Sequence, residues 1–183
     1  NIGGGRVKFG VLADLFDGAG AKYLTGNELK KQHEFQGVRD FRKLLGEPAE
    51  KQTFDTEFFW LTDDEESEPQ NVSSYCTWGD VRRDNPLRGP EYHLYYAAAA
   101  EPIVRQARAG DLALVALTRQ GGLVVVLCPA GSTIAQQMLW LFGLAPESGR
   151  ADVKTVSPHE SVRLGFAARA VLDAFGIELD EPE

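Results

Sequence analysis

Two uninterrupted apolar runs in the second half of the chain constrain its fold more than any other feature. They are Leu112–Leu117 and Leu123–Cys128, and the residues Arg119-Gln-Gly-Gly lie between them. Each run has the length of a strand, and the two glycines permit the positive backbone φ that a tight turn requires. The pattern therefore predicts two β-strands that are joined as an antiparallel hairpin.

Other segments add strands and a few helices to this hairpin. Aromatic and β-branched residues predict further strands at Lys22–Thr25, Thr53–Leu61, Val72–Trp78 and Glu91–Tyr96. Apolar periodicity and capping residues predict helices at Phe9–Phe16, Gly37–Gly46, from Glu101, Thr133–Phe142 and Ser157–Phe175. The third of these has Pro102 in its first turn, and Ser132 or Thr133 is the N-cap of the fourth. The fold class expected is mainly β with α (α+β), a small barrel or sandwich with flanking helices.

Length and composition limit the domain organisation and the compartment. The chain has 183 residues, of which 43% are hydrophobic, enough for one domain with an appendage at most. No apolar run could span a bilayer, and Asn1–Arg6 does not begin a signal peptide. Cys76 and Cys128 lie inside strand-like runs, so both are expected to be reduced. These features predict a cytoplasmic protein with no membrane partner.

The net charge of −8 counts against nucleic-acid binding, but the charge is unevenly distributed. Acidic residues crowd the segment Thr62–Asn71, which we expect to be a loop without order of its own, far from any anionic partner. Basic residues exceed acidic ones between Asn27 and Lys43. Local charge matters more than net charge here, because exposed charges further apart than about 10 Å are screened by salt.

Two polar segments are candidates for a binding surface. The first, Asn27–Gln36, is almost without bulky apolar residues and is predicted to be an exposed loop or a protruding β arm. The second is a long loop that carries Arg82, Arg83, Asn85 and Arg88 between two strands. Arginine and asparagine have the forked hydrogen-bonding groups that match guanine and adenine edges in the major groove. The alternative is a solvated loop whose arginines pair with Asp80, Asp84 and Glu91.

Catalytic and cofactor motifs are weak in this sequence. Its three histidines are widely separated and its two cysteines lack ligand spacing, so a zinc site is not expected. A second hypothesis is a self-contained Mg²⁺-dependent nuclease that uses Asp14 or Asp17 with Glu28 and Lys30. Such enzymes carry the Asp and the Glu-x-Lys on adjacent strands, whereas both aspartates here fall on or beside a predicted helix.

The order of several short motifs resembles a known family. Lys30-Lys-Gln-His-Glu-Phe-Gln-Gly precedes a helix that ends at Leu44-Leu-Gly, and a strand with Trp78-Gly precedes the arginine loop. Gly110-Asp before an apolar strand and Gly131-Ser-Thr before a helix follow later. From about Asp17 to Leu144, this order resembles the N-terminal DNA-recognition domain of EcoRII-type restriction endonucleases.

That resemblance implies a B3-like DNA-binding pseudobarrel over residues 1–144, with seven or so antiparallel or mixed strands. Two arms, Lys30–Gln36 and Tyr75–Arg88, would hold the major groove of double-stranded DNA and read a short site similar to CC(A/T)GG. The DNA-binding residues expected are Lys30, Lys31, Gln32, His33, Glu34, Gln36, Arg39, Tyr75, Trp78, Asp80, Arg82, Arg83, Asn85 and Arg88.

The resemblance also implies that the chain itself is not catalytic. Residues 145–183 would be a linker and a helix leading to an absent catalytic domain of the same protein, which would use Mg²⁺. The recognition domain would need no cofactor and would act as the effector domain of a type II endonuclease. A third hypothesis, from a different class, is a protein-interaction barrel that uses the arginine loop on an acidic partner.

Overall fold

The computed structural model describes residues 6–7, 15–30, 33–64, 66, 69–85, 87–156 and 178–179. This part of the chain is mainly β, with three short helices and two 3₁₀ turns. The strands are β1 (Arg6–Val7), β2 (Phe16–Tyr23), β3 (Glu34–Phe35), β4 (Gln52–Trp60), β5 (Gln70–Asp80), β6 (Tyr92–Tyr96), β7 (Leu112–Thr118), β8 (Leu123–Cys128), β9 (Asp152–Thr155) and β10 (Glu178–Leu179). The helices are α1 (Arg42–Leu45), α2 (Glu101–Val104) and α3 (Thr133–Phe142).

Eight of the strands form one mixed sheet in the order β3-β6-β5-β4-β8-β7-β2-β9. Neighbouring strands are antiparallel except β4 and β8, which run parallel. β1 and β10 pair separately and in parallel. The predicted hairpin is confirmed: Leu112 of β7 lies opposite Cys128 of β8, and Gly121 in the turn has φ 89°.

The central strands are buried on both faces, which explains their uninterrupted apolar sequence. On β8, Val124 and Val126 face a core that α3 covers, whereas Val125 and Leu127 face a second core on the other side of the sheet. Since successive side chains of a strand point to opposite faces, both sets of positions must be apolar.

The sheet is strongly curled, as a half-barrel. Phe35 on the edge strand β3 and Ala151 beside the opposite edge strand β9 belong to the same core cluster, together with Phe41. Gly20 permits this packing, because a Cβ at that position would lie 2.6 Å from Phe41 Cε1. The expectation of a mainly β fold with flanking helices is therefore confirmed at this level.

Several predicted boundaries were wrong or lie outside the described residues. β2 begins at Phe16, so Asp17 lies in a strand and not beside a helix, and the strand predicted from Lys22 begins earlier. The helix predicted at 37–46 is a 3₁₀ turn, Arg39–Phe41, followed by the single turn α1. The rest of the helix predicted before Phe16 and the whole of 157–175 lie outside the described residues. None of the described helices is long and apolar enough to cross a membrane.

The acidic segment 62–71 is more ordered than expected at its beginning. Asp63 accepts hydrogen bonds from the backbone N–H groups of Thr133 and Ile134, at 2.9 and 3.0 Å. Ser132 is the N-cap of α3 and accepts from Ala135 N at 3.2 Å. A carboxylate at a helix N-terminus satisfies free N–H groups and interacts favourably with the helix dipole. Asp63 therefore ties this segment to α3.

Candidate nucleic-acid interface

The two polar segments that the sequence singles out lie at the same edge of the sheet. β3, in the first segment, pairs with β6, so that Phe35 lies opposite Leu94. β6 pairs in turn with β5, and the second segment is the loop 81–91 that connects these two strands. The predicted second arm, 75–88, begins inside β5, which includes 75–80, so only the loop after β5 can project from the sheet. From here on, residues 27–36 are called the first arm and residues 81–91 the second arm. Their proximity follows from strand pairing.

One buried lysine anchors both ends of the first arm. Lys22 of β2 is 6% exposed, and its Nζ donates to Glu28 Oε1 at the start of the arm and to the carbonyl oxygen of Gln36 at its end. Glu28 is fully buried, and its Oε1 also accepts from Thr25 N at 3.0 Å and Thr25 Oγ1 at 3.2 Å. The apolar interior makes an unpaired charge costly, so each of the two charges requires the other.

One aspartate anchors both ends of the second arm in a similar way. Asp80 Oδ1 accepts from Arg82 N at 2.8 Å and from Glu91 N at 2.9 Å. Beneath the arm, Trp78 is fully buried, stacks on Tyr92 at 5.4 Å between ring centroids, and donates from Nε1 to the carbonyl of Gly46 at 2.9 Å. Asp80 and Trp78 thus support the loop from its base, and their contact with DNA stays a prediction.

A cleft of about 720 Å³ lies between the two arms. Of the predicted binding residues, Glu34, Gln36, Arg39 and Arg82 line it. Residues that were not predicted to bind DNA also line it, among them Arg42, Glu91, Tyr92 and His93. The cleft therefore joins side chains of both arms in one concave surface.

A chain of charged and polar side chains along the cleft runs from one arm to the other. Arg82 Nε lies 3.0 Å from Glu91 Oε2, and the other oxygen of Glu91 lies 3.6 Å from His93 Nε2. His93 Nδ1 lies 2.6 Å from Glu34 Oε1. Burial, together with the negative charges of Glu34 and Glu91, raises the pKa of the Tyr95 hydroxyl above its ordinary value. Arg82 is consequently held by an acidic neighbour, as the alternative interpretation of this loop predicted.

Three other polar side chains of the second arm are exposed to solvent. Arg83, Asn85 and Arg88 are exposed, and within the described part of the chain none of these side chains has a hydrogen bond or ion pair. Arg39, beside the cleft, is also exposed and without such a partner there. An exposed arginine with free guanidinium donors can bind a phosphate or a base edge without first breaking an internal pair.

The remaining predicted residues are dispersed. His33 has φ 51° and turns toward α2, with its Nε2 3.9 Å from Glu101 and its ring 5.2 Å from that of Tyr96. Tyr75 is half-exposed but lines a different concavity, of about 510 Å³, between β4, β5 and the β7–β8 turn. Lys30 is exposed, and Lys31 and Gln32 lie outside the described residues.

Two cleft residues that sequence reasoning missed carried detectable signals. Arg42 follows Arg39 by three residues, the spacing that places two side chains on one face of a helix. His93 follows Glu91 by two residues, the spacing that places two side chains on one face of a strand. The contact between Glu34 and His93 depends on the pairing of β3 with β6, and no local sequence pattern indicates that pairing.

The residues of the nuclease hypothesis are not arranged as an exposed metal site. Glu28 is buried against Lys22, and Asp17 lies 3.8 Å from Arg119 Nε. Among the described residues, no three His, Cys, Asp or Glu side chains are grouped so that they could hold a metal ion. Asp14 lies outside that part of the chain.

Both cysteine thiols are buried and free. Burial raises the pKa of Cys76 and of Cys128 to about 12. A thiol with so high a pKa is protonated at neutral pH and is a poor nucleophile or ligand. The two cysteines are therefore core residues, as expected from the sequence.

Comparison with known proteins assigns no family to the chain. No protein-family profile matches it, and no curated protein matches its sequence. The resemblance to EcoRII-type recognition domains therefore depends on the order of short motifs and stays a prediction.

Proposed function

We propose that this chain is a sequence-specific, double-stranded DNA-binding domain, the B3-like recognition or effector domain of an EcoRII-type restriction endonuclease. One observation carries the proposal: the two polar arms flank a cleft that is lined by Arg39, Arg42 and Arg82. A cleft with an arm on each side suits a rod-shaped polyanion, because both arms can contact one groove at the same time. The catalytic domain would be a separate part of the same protein.

Within this proposal the arginines divide into two groups. Arg82 would exchange Glu91 for a guanine edge, a contact that discriminates against the wrong base by about 1–3 kcal/mol. Arg83 and Arg88, which already face solvent, would hold phosphates and set the register of the protein on the duplex. Glu34 could accept from a cytosine amino group, if His93 releases it.

Charge is separated along the sheet in a way that suits this proposal. The second arm lies where β4 begins, because Trp78 near the end of β5 pairs with Gln52. Asp63 follows the other end of β4, a strand of nine residues, which corresponds to about 30 Å. That separation is several times the Debye length of about 8 Å in physiological salt. The acidic segment therefore repels a duplex at the arms only weakly.

The decisive experiment measures duplex binding by fluorescence anisotropy. Duplexes that bind the purified chain are selected from a randomised pool. The affinity for the selected duplex is then compared with the affinity for a scrambled duplex at several salt concentrations. We expect Arg82→Ala to lose roughly fivefold to a hundredfold in affinity for the selected duplex, with a smaller loss on the scrambled one. Arg83→Ala should weaken both duplexes equally and reduce the salt slope by about 0.9.

The matched control is Arg108→Ala, because Arg108 is exposed and is not among the residues that line the cleft. It should bind like the unmodified chain. Equal losses for Arg82→Ala on both duplexes would reduce Arg82 to a phosphate contact. Absence of any salt-dependent duplex binding would refute the proposal and favour an acidic protein partner. Cleavage of a plasmid by the purified chain in the presence of Mg²⁺ would support the nuclease hypothesis instead.

A further inference from the structure

A small pocket shares part of its lining with the cleft. Its volume is about 180 Å³, compared with about 720 Å³ for the cleft, and Gln36 and Gly37 line both. Lys22 and Arg150 also line the pocket, and none of its described lining residues is acidic. Pockets for drug-sized ligands have volumes of roughly 300–1,000 Å³, so this smaller pocket suits a single small group.

Lys22 brings a buried ammonium group to this pocket. A lysine ammonium has three N–H donors, and Lys22 Nζ donates to Glu28 Oε1 and to the carbonyl oxygen of Gln36. The third donor has no acceptor within the described part of the chain. Because Lys22 is buried, this donor is costly to leave unpaired, and an oxygen of a ligand in the pocket would satisfy it.

The space beside this ammonium group is open at Gly37. A Cβ at Gly37 would lie 3.9 Å from Lys22 Nζ, and apart from its chain neighbours no other described residue would come within 4 Å of it. Gly37 has φ 68°, in the left-handed region that favours glycine, so the backbone itself selects a residue without a side chain. The space that a side chain would fill is therefore available to a ligand.

Arg150 supplies a second cation from a different segment of the chain. A tight turn holds its backbone: Glu147 and Arg150 exchange two hydrogen bonds of 2.9 Å, and Gly149 within the turn has φ 77°. Arg150 is exposed, and its side chain has no hydrogen bond or ion pair in the part of the chain that the structure describes. Its guanidinium donors can therefore bind an anion without breaking an internal pair.

The charges around the pocket suit a singly charged anion. Lys22 and Arg150 carry two positive charges, and Glu28, which pairs with Lys22, offsets one of them. A DNA phosphodiester carries one negative charge, and its oxygens accept the charge-assisted hydrogen bonds that arginine and lysine donate.

We propose that this pocket binds one phosphate group, held by the Arg150 guanidinium and Lys22 Nζ. Two sources offer that chemistry. Because Gln36 and Gly37 also line the cleft, one source is a backbone phosphate of a duplex bound there, and this source rests on the proposed function. The other source is free phosphate, which does not depend on DNA binding.

Inorganic phosphate alone tests the pocket without DNA. It is titrated into the purified chain by isothermal titration calorimetry, with the ionic strength held constant by sodium chloride. We expect saturable binding that Arg150→Ala weakens about tenfold, the loss typical of one hydrogen bond to a charged group. Arg150→Ala should fold normally, since this side chain has no internal partner among the described residues. The matched control is Arg108→Ala, an exposed arginine that lines neither the cleft nor the pocket and should leave phosphate binding unchanged.

A duplex with one neutral linkage tests the second source. The duplex selected from the randomised pool is resynthesised with each backbone phosphate replaced in turn by an uncharged methylphosphonate. At one position we expect the affinity to fall about tenfold for the unmodified chain and for Arg108→Ala. The same replacement should have no effect on Arg150→Ala, because that variant has already lost the contact.

The two assays separate the outcomes. Phosphate binding that depends on Arg150, without any sensitive duplex position, assigns the pocket to free phosphate, whereas a sensitive position coupled to Arg150 assigns it to the DNA backbone. If neither phosphate binding nor any methylphosphonate position depends on Arg150, the inference is overturned, and a chain that still binds its selected duplex keeps the proposed function. Arg150-dependent phosphate binding by a chain that binds no duplex supports the pocket and refutes the proposed function alone.

Discussion

Replacing Lys22 by methionine tests how the first arm is held. Methionine keeps the buried aliphatic volume of lysine but removes the charge that pairs with Glu28 and the donor to the carbonyl of Gln36. The Glu28 carboxylate would keep only its two hydrogen bonds from Thr25. Breaking one side of a buried ion pair typically costs about 3–5 kcal/mol, because the remaining charge stays desolvated. We expect Lys22→Met to lower the free energy of unfolding by that amount.

A double-mutant cycle separates the ion pair from simple loss of packing. Lys22→Met with Glu28→Gln leaves no buried charge, so the double variant should recover part of the loss and give a coupling energy of about 2 kcal/mol. Urea unfolding followed by tryptophan fluorescence measures all four proteins. Lys43→Met is the matched control: Lys43 is 71% exposed and pairs with Asp40 at 3.9 Å, so its loss should cost less than about 1 kcal/mol.

A result within 1 kcal/mol of the unmodified chain for Lys22→Met would refute this reasoning. Additive losses of unfolding free energy in the two single variants would also refute it, since two residues that stabilise each other's charge cannot act independently.

The outcome bears on the binding proposal as well. If the pair fixes both ends of the first arm, amide exchange at 34–36 should accelerate in Lys22→Met and stay unchanged in Lys43→Met.

Two other measurements follow from the structure. Asp80→Ala removes the acceptor for two backbone N–H groups of the second arm, so it should weaken binding to the selected duplex severalfold by releasing the loop, whereas Asp80→Asn, which keeps Oδ1, should bind almost normally. Alkali should destabilise the fold: burial, with the charges of Glu101 and Glu28, raises the pKa of Tyr96 to about 12, and burial raises that of Cys76 similarly. The stability that these two protonated groups contribute is complete below their unfolded-state pKa values, near 9 for Cys76 and 10 for Tyr96. It is lost as the pH rises toward 12, and thermal unfolding across pH 8–12 can measure the loss. Unchanged duplex affinity in Asp80→Ala, or a constant melting temperature over that pH range, would contradict these expectations.

Local patterns were enough to find most of the strands. β7 and β8 were recognisable because strands buried on both faces need apolar residues at every position, and the Gly-Gly turn fixed their pairing. Ser132 was recognisable as a cap because a short side chain with an acceptor oxygen precedes an apolar helical period. β2 was missed in part, because Gly18, Ala19, Gly20 and Ala21 are small and read as a turn. Glycine is required at position 20 by the close packing of Phe41 and at position 18 by the backbone of β9, and both are contacts across the fold.

The sequence by itself determined that the chain is a mainly β protein with two polar segments rich in hydrogen-bonding side chains. Both properties follow from periodicity and composition, which depend on residues near one another in the chain. Only the tertiary structure decided that the two segments share one edge of the sheet, that Lys22 and Asp80 anchor them, and that Trp78 lies beneath them rather than at their surface. These relations depend on which strands pair and how the sheet curls, and strand pairing between distant segments leaves no period in the sequence.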